Sequence, residues 1–505
     1  MLRDRFQYTI LLYCIWFLGF VARAQELKPV QGELPKQVLT LNDMLNLAHE
    51  NSLEAFKAKR KYGVGYWEYR AFKSSLLPKI DLNLRPLTYN KSVIQRYDSE
   101  QNIEVYRSQQ NLNSYANISA TQDIGSTGTN LFINSNFNRL ENFGLIENES
   151  YNVTPFSAGL SQPIMAFNKF KWNKKIAPLK YEKAKQDFIY EQQTINLKAL
   201  QLFFNWALAS KKLDIAKENK STIENLFNIG KRRYDIGSIE KDDVLNLELD
   251  LYNANITLTQ SEQELDKSLS ELELYLREDL PSNIVPELPE LISNLQINAE
   301  RAIEYAYANN PDFINLKLRK TEALRDLDKA VKENRFDLLV TASYGLNQQA
   351  NVFNNVYRDF LDQQMIAIQF RVPILDWGER KGNIQTAKMN KEVADIEIQQ
   401  DEDTYKQSIA LKVNNFNLQK ELVIGALHTS DISNESYKIT EKRFLSGQVD
   451  LLNLSSSRKA WQQATESYIQ SLQVYWTLYY ELQQLTLYNF INNSTLKQDF
   501  DTVLD

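Results

Sequence analysis

Arg233-Tyr234-Asp235-Ile236-Gly237, followed by Asp243-Val244-Leu245, returns 210 residues later as Arg443-Phe444-Leu445-Ser446-Gly447 followed by Asn453-Leu454. Upstream of each, Gln162-Pro163-Ile164-Met165 answers Val372-Pro373-Ile374-Leu375 at the same offset. Further back, Ala48 and Asn51 match Ala306 and Asn309, at an offset of 258. A repeated order of motifs at fixed spacing is the mark of a duplicated unit. The first copy carries about 48 more residues than the second between its opening helix and Pro163.

Each copy reads as helix, strands, very long helix, turn, helix. Residues 42–75 and 299–334 have helical patterning, as do 167 to about 233 and 379 to about 443. At 1.5 Å per residue the last two are about 100 Å long, far beyond a globular helix. Only 15 Gly and 12 Pro in 505 residues agree with a few long elements. On the first returning helix, Val244, Leu251, Leu258, Leu265 and Leu272 recur every seven residues. Leu247, Ala254, Ser261 and Ser268 follow three later. The second copy has Leu454, Trp461, Tyr468, Tyr475 and Leu482, with Ser457, Ala464, Ser471 and Leu478. A heptad with one large and one small seam predicts coiled-coil packing. The small seam is expected to admit a second close neighbour, as a closed ring of helices requires.

Period-two segments lie between the helices: Ile80/Leu82/Leu84, Ala116/Ile118/Ala120, Leu131/Ile133/Phe137, Phe156/Ala158/Leu160, Leu338/Val340/Ala342/Tyr344/Leu346 and Ile366/Ile368/Phe370/Val372. Alternation over about ten residues fits a transmembrane β-barrel, apolar toward lipid and polar toward the lumen. A mean hydropathy of −0.45 does not oppose this, because barrel strands alternate. The extra residues read as a hairpin, near 115–124 and 129–140, turned by Gly125-Ser126-Thr127-Gly128. Polar loops are expected at 90–114 and 141–152. The hairpin either joins the barrel wall or folds over its outer mouth as a lid.

Arg3 and Arg5, an apolar run from Tyr8 to Val21, and Ala22-Arg23-Ala24 before Gln25 have the grammar of a secretory signal peptide. Cleavage there removes Cys14, the only cysteine. With two histidines, His49 and His428, and no cysteine left, a His-based metal site or triad lacks its ligands. No phosphate-binding loop is present, and a net charge of −6 offers no basic footprint for nucleic acid. The expectation is no enzyme, no cofactor and no metal.

Together the duplicated plan, the two Tyr/Phe-x-x-Gly turns and the Pro-Ile junctions resemble the TolC-like outer-membrane efflux factor family over nearly the whole chain. The fold class so implied is mainly α with a transmembrane β part. Its duplicated helix–strand–long helix–helix unit builds a trimeric α-helical periplasmic barrel and a shared outer-membrane β-barrel. The domain reading is a leader at 1–24, a first repeat at 25–278 (strands about 80–163 with the extra hairpin, long helices 167–277), and a linker at 279–297. A second repeat follows at 298–490 (strands about 337–373, long helices 379–490), then a tail at 491–505.

The resemblance implies a homotrimer in outer-membrane lipid, with a long periplasmic extension. It implies a passive channel of a tripartite efflux or type I secretion system, opened by a periplasmic adaptor (membrane fusion protein) coupled to an inner-membrane pump. Docking or aperture residues carried over to the two turns are Arg233, Tyr234, Gly237, Asp243, Arg443, Phe444, Gly447, Asp450 and Asn453. Where family channels often carry closing carboxylates in the second turn, this chain has Asn453 and Ser456. Asp243 keeps the acid in the first turn, and Asp450, opposite Glu240, offers a different acidic ring. Acids also favour any helix N-terminus, and a glycine turn also serves simply to reverse a chain. Three rival readings stand beside the channel: a periplasmic coiled-coil spacer without channel activity, a secreted hydrolase, for which no confined pair of acids can be picked out, and a periplasmic adaptor, whose lipoyl and β-barrel modules would need Gly-rich strand pairs that the sequence does not show.

Overall fold

Two helices of 67 residues each form the spine of the helical part, and the sheet lies at one end of it. The computed structural model describes residues 37–503 apart from 144–146, 282, 293 and 447. The leader expected at 1–24 therefore lies outside the described residues.

In chain order the elements begin with β1 (Gln37–Thr40), α1 (Leu41–Asn51) and α2 (Leu53–Ser74). Four strands follow: β2 (Lys79–Asp98), β3 (Ile103–Ile124), β4 (Thr129–Phe143) and β5 (Asn148–Ile164). The first long pair is α3 (Lys169–Asp235) and α4 (Lys241–Leu276). After β6 (Ile284–Glu287) the second copy has α5 (Ala299–Asn309), α6 (Pro311–Glu333), β7 (Asp337–Ala350) and β8 (Leu361–Arg371). It ends in α7 (Glu379–Leu445) and α8 (Leu451–Thr486), with the short strands β9 (Tyr488–Asn489) and β10 (Ser494–Thr495).

The single helices expected at 42–75 and 299–334 are each two. Ser52, buried and extended at ψ 147°, ends α1 and accepts the Ala55 N–H at 3.2 Å to start α2. In the second copy Asn310 precedes Pro311, which disfavours helical geometry at 310 and suits the first turn that follows. Pro178, by contrast, is carried inside α3.

Along α3 lie α2 toward the sheet and α4 toward the turns; along α7 lie α6 and α8 in the same places. Where these partial helices end, mid-length, sits the main core. Met44, Leu200, Phe203, Phe204 and Trp206 meet Phe416, Tyr475 and Tyr479 there, sealed by α1, α5 and the parallel β1–β6 pair. The tail folds back, with Phe500 5.1 Å from the Tyr62 ring and Val503 buried beside Phe188.

The two copies meet in one six-stranded meander, β2-β3-β4-β5-β7-β8. Residues directly opposite one another share a face. Ile80, Ala120, Ile133, Ala158 and Tyr344 form one such row, and Leu131, Leu160, Ala342 and Ile366 another. The other face carries the rows Asp81, Ser119, Asn134, Ser157 and Thr121, Phe132, Gly159, Ser343. Across these rows one face of the sheet is mainly apolar, interrupted by Gln122 and Gln364, and the other is mostly small or polar. Gly159 fits because the Phe132 ring and the Ala342 carbonyl would each lie within 3 Å of any Cβ placed there.

The polar loops expected at 90–114 and 141–152 are a correction: most of both lies in strand. β2 pairs with β3 without a break from Thr88 to Asp98, and β4 with β5 as far as Asn142. Above the apolar rows both faces of these hairpins carry polar residues, so alternation in hydropathy disappears while backbone pairing continues.

Candidate functional site

Three features could carry function: the helix turns, the sheet faces, and the edges of the molecule. At the first turn, α3 ends with a 2.8 Å bond from the Gly237 N–H to the Tyr234 carbonyl and another from Ser238 N–H to Arg233. Gly237 sits at φ +75° with nothing near its missing Cβ, so backbone conformation rather than space selects glycine. Glu240 then caps α4, its N–H donating to Asp243 Oδ2 at 3.3 Å. At the second turn the Gln448 N–H reaches the Arg443 carbonyl at 2.9 Å, and Asp450 Oδ1 accepts the Asn453 N–H at 2.8 Å. Gly447 lies outside the described residues. Asp243 and Asp450 are thus both engaged as helix-start acceptors, the local role that acids favour at a helix N-terminus.

The turns enclose a cavity of about 690 Å³ whose lining includes Arg233, Asp243, Leu247, Phe444, Asp450 and Leu452. Four expected residues, Arg233, Asp243, Phe444 and Asp450, therefore come together. Tyr234, Gly237, Arg443 and Asn453 do not line it. Tyr234 is 42% exposed and Ile236 77% exposed at the very end of the molecule. Phe444 differs from its counterpart Tyr234 by packing against the cluster of Leu226, Leu247, Tyr437, Leu454 and Trp461.

Sequence reasoning missed the layer behind this cavity. Tyr437 on α7 stacks on Trp461 on α8, ring centres 5.2 Å apart and planes within 1°. One turn before Trp461, burial lowers the Arg458 guanidinium from its usual pKa, opposed by Tyr437 and by Asp250 of α4. Burial likewise raises the Tyr437 phenol. The signal was present in the spacing: Arg458 stands three residues before Trp461, beside the seam that faces inward.

On the sheet, the apolar face runs on β7 from Leu338 to Leu346, about 27 Å along the strand. Tilted as barrel strands are, that is close to the apolar height of an outer-membrane wall. Beyond it, Phe137, Tyr151 and Phe353 form an aromatic group with ring centres 5.5–6.2 Å apart. Next comes an ionic layer in which Arg139 bonds Glu141 at 2.9 Å and Glu149 at 2.5 Å. The order apolar band, aromatic girdle, charged rim matches the depth profile of a bilayer.

The edges repeat one theme. α3 packs on α4 within its copy and on α8 of the other; α7 packs on α8, and α4 with α7 is not a principal contact within the chain. Nearer the sheet, α2–α3, α3–α6 and α6–α7 are packed, leaving α2 and α7 as edges. In the sheet itself β2 and β8 are the edges. These edges carry exposed apolar side chains: Leu245, Leu249, Tyr252 and Ile256 on α4; Leu411, Leu418, Leu422 and Ile439 on α7; Ile366, Ile368 and Phe370 on β8. The small seam expected to admit a second neighbour instead faces α3 inside the chain. Leu247, Ala254, Ser261 and Ser268 are buried, and Leu247 fits over Gly230.

A family model described as outer membrane efflux protein matches residues 106–276 and 302–486. The alkaline protease secretion protein AprF of Pseudomonas aeruginosa is 22% identical over 244 residues, 46% of this chain and 48% of that protein. The match thus spans about half the length of that curated relative. Among solved structures, the Campylobacter jejuni CmeC outer membrane channel aligns at TM-score 0.63 and 16% identity, over 92% of this chain and 90% of that one. The open state of the Neisseria gonorrhoeae MtrE outer membrane channel aligns at TM-score 0.61 and 15% identity, over 91% and 90%. These likenesses establish the fold: a long helical part joined to a β part, shared with outer membrane channels.

Proposed function

The chain belongs to the outer membrane efflux protein family, channels of the outer membrane rather than enzymes, and from that premise we propose that three copies close into one conduit docked by a periplasmic adaptor. The adaptor couples it to an inner-membrane pump, in a tripartite efflux or type I secretion assembly. The observation that carries the trimer is the pairing of unmet edges. Within the chain one joint between the copies is made, through α3–α8, α3–α6 and β5–β7. The halves of a second such joint, α4 with α7, α2 with α7 and β2 with β8, stand open at opposite sides. Rotating a second copy about a common axis brings each open half to its partner, and a closed ring leaves none exposed. Open strand edges in lipid are also untenable, which a shared barrel resolves.

A coiled-coil spacer accounts for the helices but not for a sheet with an apolar band across one face. The helix turns are the end farthest from the sheet, so they form the periplasmic mouth, and Arg233, Tyr234, Asp243, Phe444 and Asp450 are the candidates there for adaptor contact or aperture. Gly237 shapes the first turn, and Arg443, Gly447 and Asn453 are carried as candidates at the second. The test replaces Tyr234 and the exposed Ile236 by Ala. Trimers should remain extractable by detergent, while crosslinking of the turns to the adaptor falls about tenfold or more, as at other aromatic interface anchors. Unchanged crosslinking and export would reduce these turns to chain reversals.

A further inference from the structure

A strict duplication would give each chain four strands, two from each repeat, and three chains a barrel of twelve. Among the described residues six strands lie in one sheet. The added pair is β3 and β4, which fall within the 48-residue excess of the first copy. Both are paired along their length, β3 with β2 and with β4, β4 with β5. They continue both faces unbroken. Ile118 and Ile133 extend the apolar rows, and Asn117, Ser119 and Asn134 extend the polar ones. Their connecting turn lies at the helix end of the sheet, where Asn168 Nδ2, at the start of α3, donates to the Gly125 carbonyl at 3.2 Å.

Resting on the trimer reading above, we propose that β3 and β4 are wall strands of the shared barrel, which is closed by eighteen strands and opens onto the helical ring without narrowing. The circumferences support this. Strands about 4.8 Å apart and tilted about 40° each occupy about 6.3 Å, so eighteen span about 110 Å and twelve about 75 Å. Next to the sheet each chain contributes α2, α3, α6 and α7, twelve helices in a trimer. At about 9–10 Å between axes these require about 110 Å. Eighteen strands meet the helical ring at an ordinary tilt, whereas twelve would have to lean to about 60°. The inward face near this junction mixes Lys79, Asp81 and Asp123 with Ser119, Thr121 and Ser157.

The test uses cysteine pairs and a short thiol crosslinker in the full-length chain carrying Cys14→Ser, in outer membranes. Leu82→Cys with Ile118→Cys, and Ile133→Cys with Ala158→Cys, should link within one chain. Leu82→Cys with Ile366→Cys, Ile368→Cys or Phe370→Cys should link copies, shifting the monomer band to a covalent trimer. If copies link through β8 but Leu82→Cys joins Ala158→Cys instead of Ile118→Cys, then β2 abuts β5. The hairpin is then a lid, and the eighteen-stranded barrel is wrong while the trimer stands. If no partner on β8 links copies although the protein is folded and membrane-bound, the shared barrel itself is overturned.

Discussion

The returning helices α4 and α8 are the same element twice, each of 36 residues and each following a 67-residue helix across a turn. Their surroundings are not the same. α8 lies between α7 and α3 and buries Trp461, Ile469, Leu472, Tyr475 and Tyr479. α4 packs chiefly on α3, buries a seam of mostly small residues, and leaves Leu249 and Tyr252 about 60% exposed. Duplicated elements with unequal burial show where a neighbour is missing. The apolar side chains on the free side of α4 are what an interface with another copy's α7 would cover.

The comparison breaks most readily at its heaviest residue. Trp461→Ala removes the stacking partner of Tyr437, and should lower the unfolding free energy of the helical part by about 3–5 kcal/mol. Its counterpart in α4, Leu251→Ala, is only half-buried, so about 1–2 kcal/mol is expected in the isolated chain. Urea titrations followed by helical circular dichroism check both. Equal losses would mean that α4 is already covered in the single chain.

A second variant separates folding from assembly. Leu249→Asp with Tyr252→Asp should leave the helical content and melting of the monomer within about 0.5 kcal/mol, because both side chains are exposed there. The trimer should be lost on a native gel, since two charges would be carried into an apolar joint. Survival of the trimer contradicts the assignment of this seam.

Gly237→Ala probes the turns with a smaller effect. At φ +75° a β-carbon costs about 1 kcal/mol, which a small fall in melting temperature would register.

The smallest effect contrasts His49 with Tyr307, its counterpart in the second opening helix. His49 bonds Asn196 at 2.7 Å, and burial lowers its pKa from 6.5 despite that bond. Tyr307 is 59% exposed. A lowered folded pKa means that the unfolded chain binds more protons in the window below 6.5. Stability from this group is thus complete above that value and declines as pH falls through it. Replacement by Gln should flatten the decline between pH 7 and 5. An unchanged slope would assign it to other groups.

Much of this was legible in the chain because the strongest signals are periodic. The 210-residue offset tied two turns and two Pro junctions together, and heptads marked the returning helices. What escaped was set by contacts rather than by period. Hydropathy could not follow β2 and β3 past Arg85, where both faces become polar. The break at Ser52 depends on one cap, while Asn310-Pro311 held a signal that was passed over. At the site, the turns were legible, yet Phe444 and Tyr234 occupy matching positions with different burial. Arg458 owes its burial to α4, α7 and α8 together, which no period in the sequence displays.

The central claim is that α4 of one protomer packs on α7 of the next as α8 packs on α3 within a single chain. Asn219 and Gln462 line one cavity between α3 and α8. Their counterparts at the 210-residue offset are Thr429 on α7 and Tyr252 on α4, on helices that are not packed together within a chain. Tyr252→Cys and Thr429→Cys, placed in one full-length chain with Cys14→Ser and bridged by a short thiol crosslinker, test the claim directly. The account predicts a ladder of dimer and trimer, ending at the trimer, with neither single variant going beyond dimer. Bridging confined to single chains, or no bridging in folded membrane-bound protein, would contradict it.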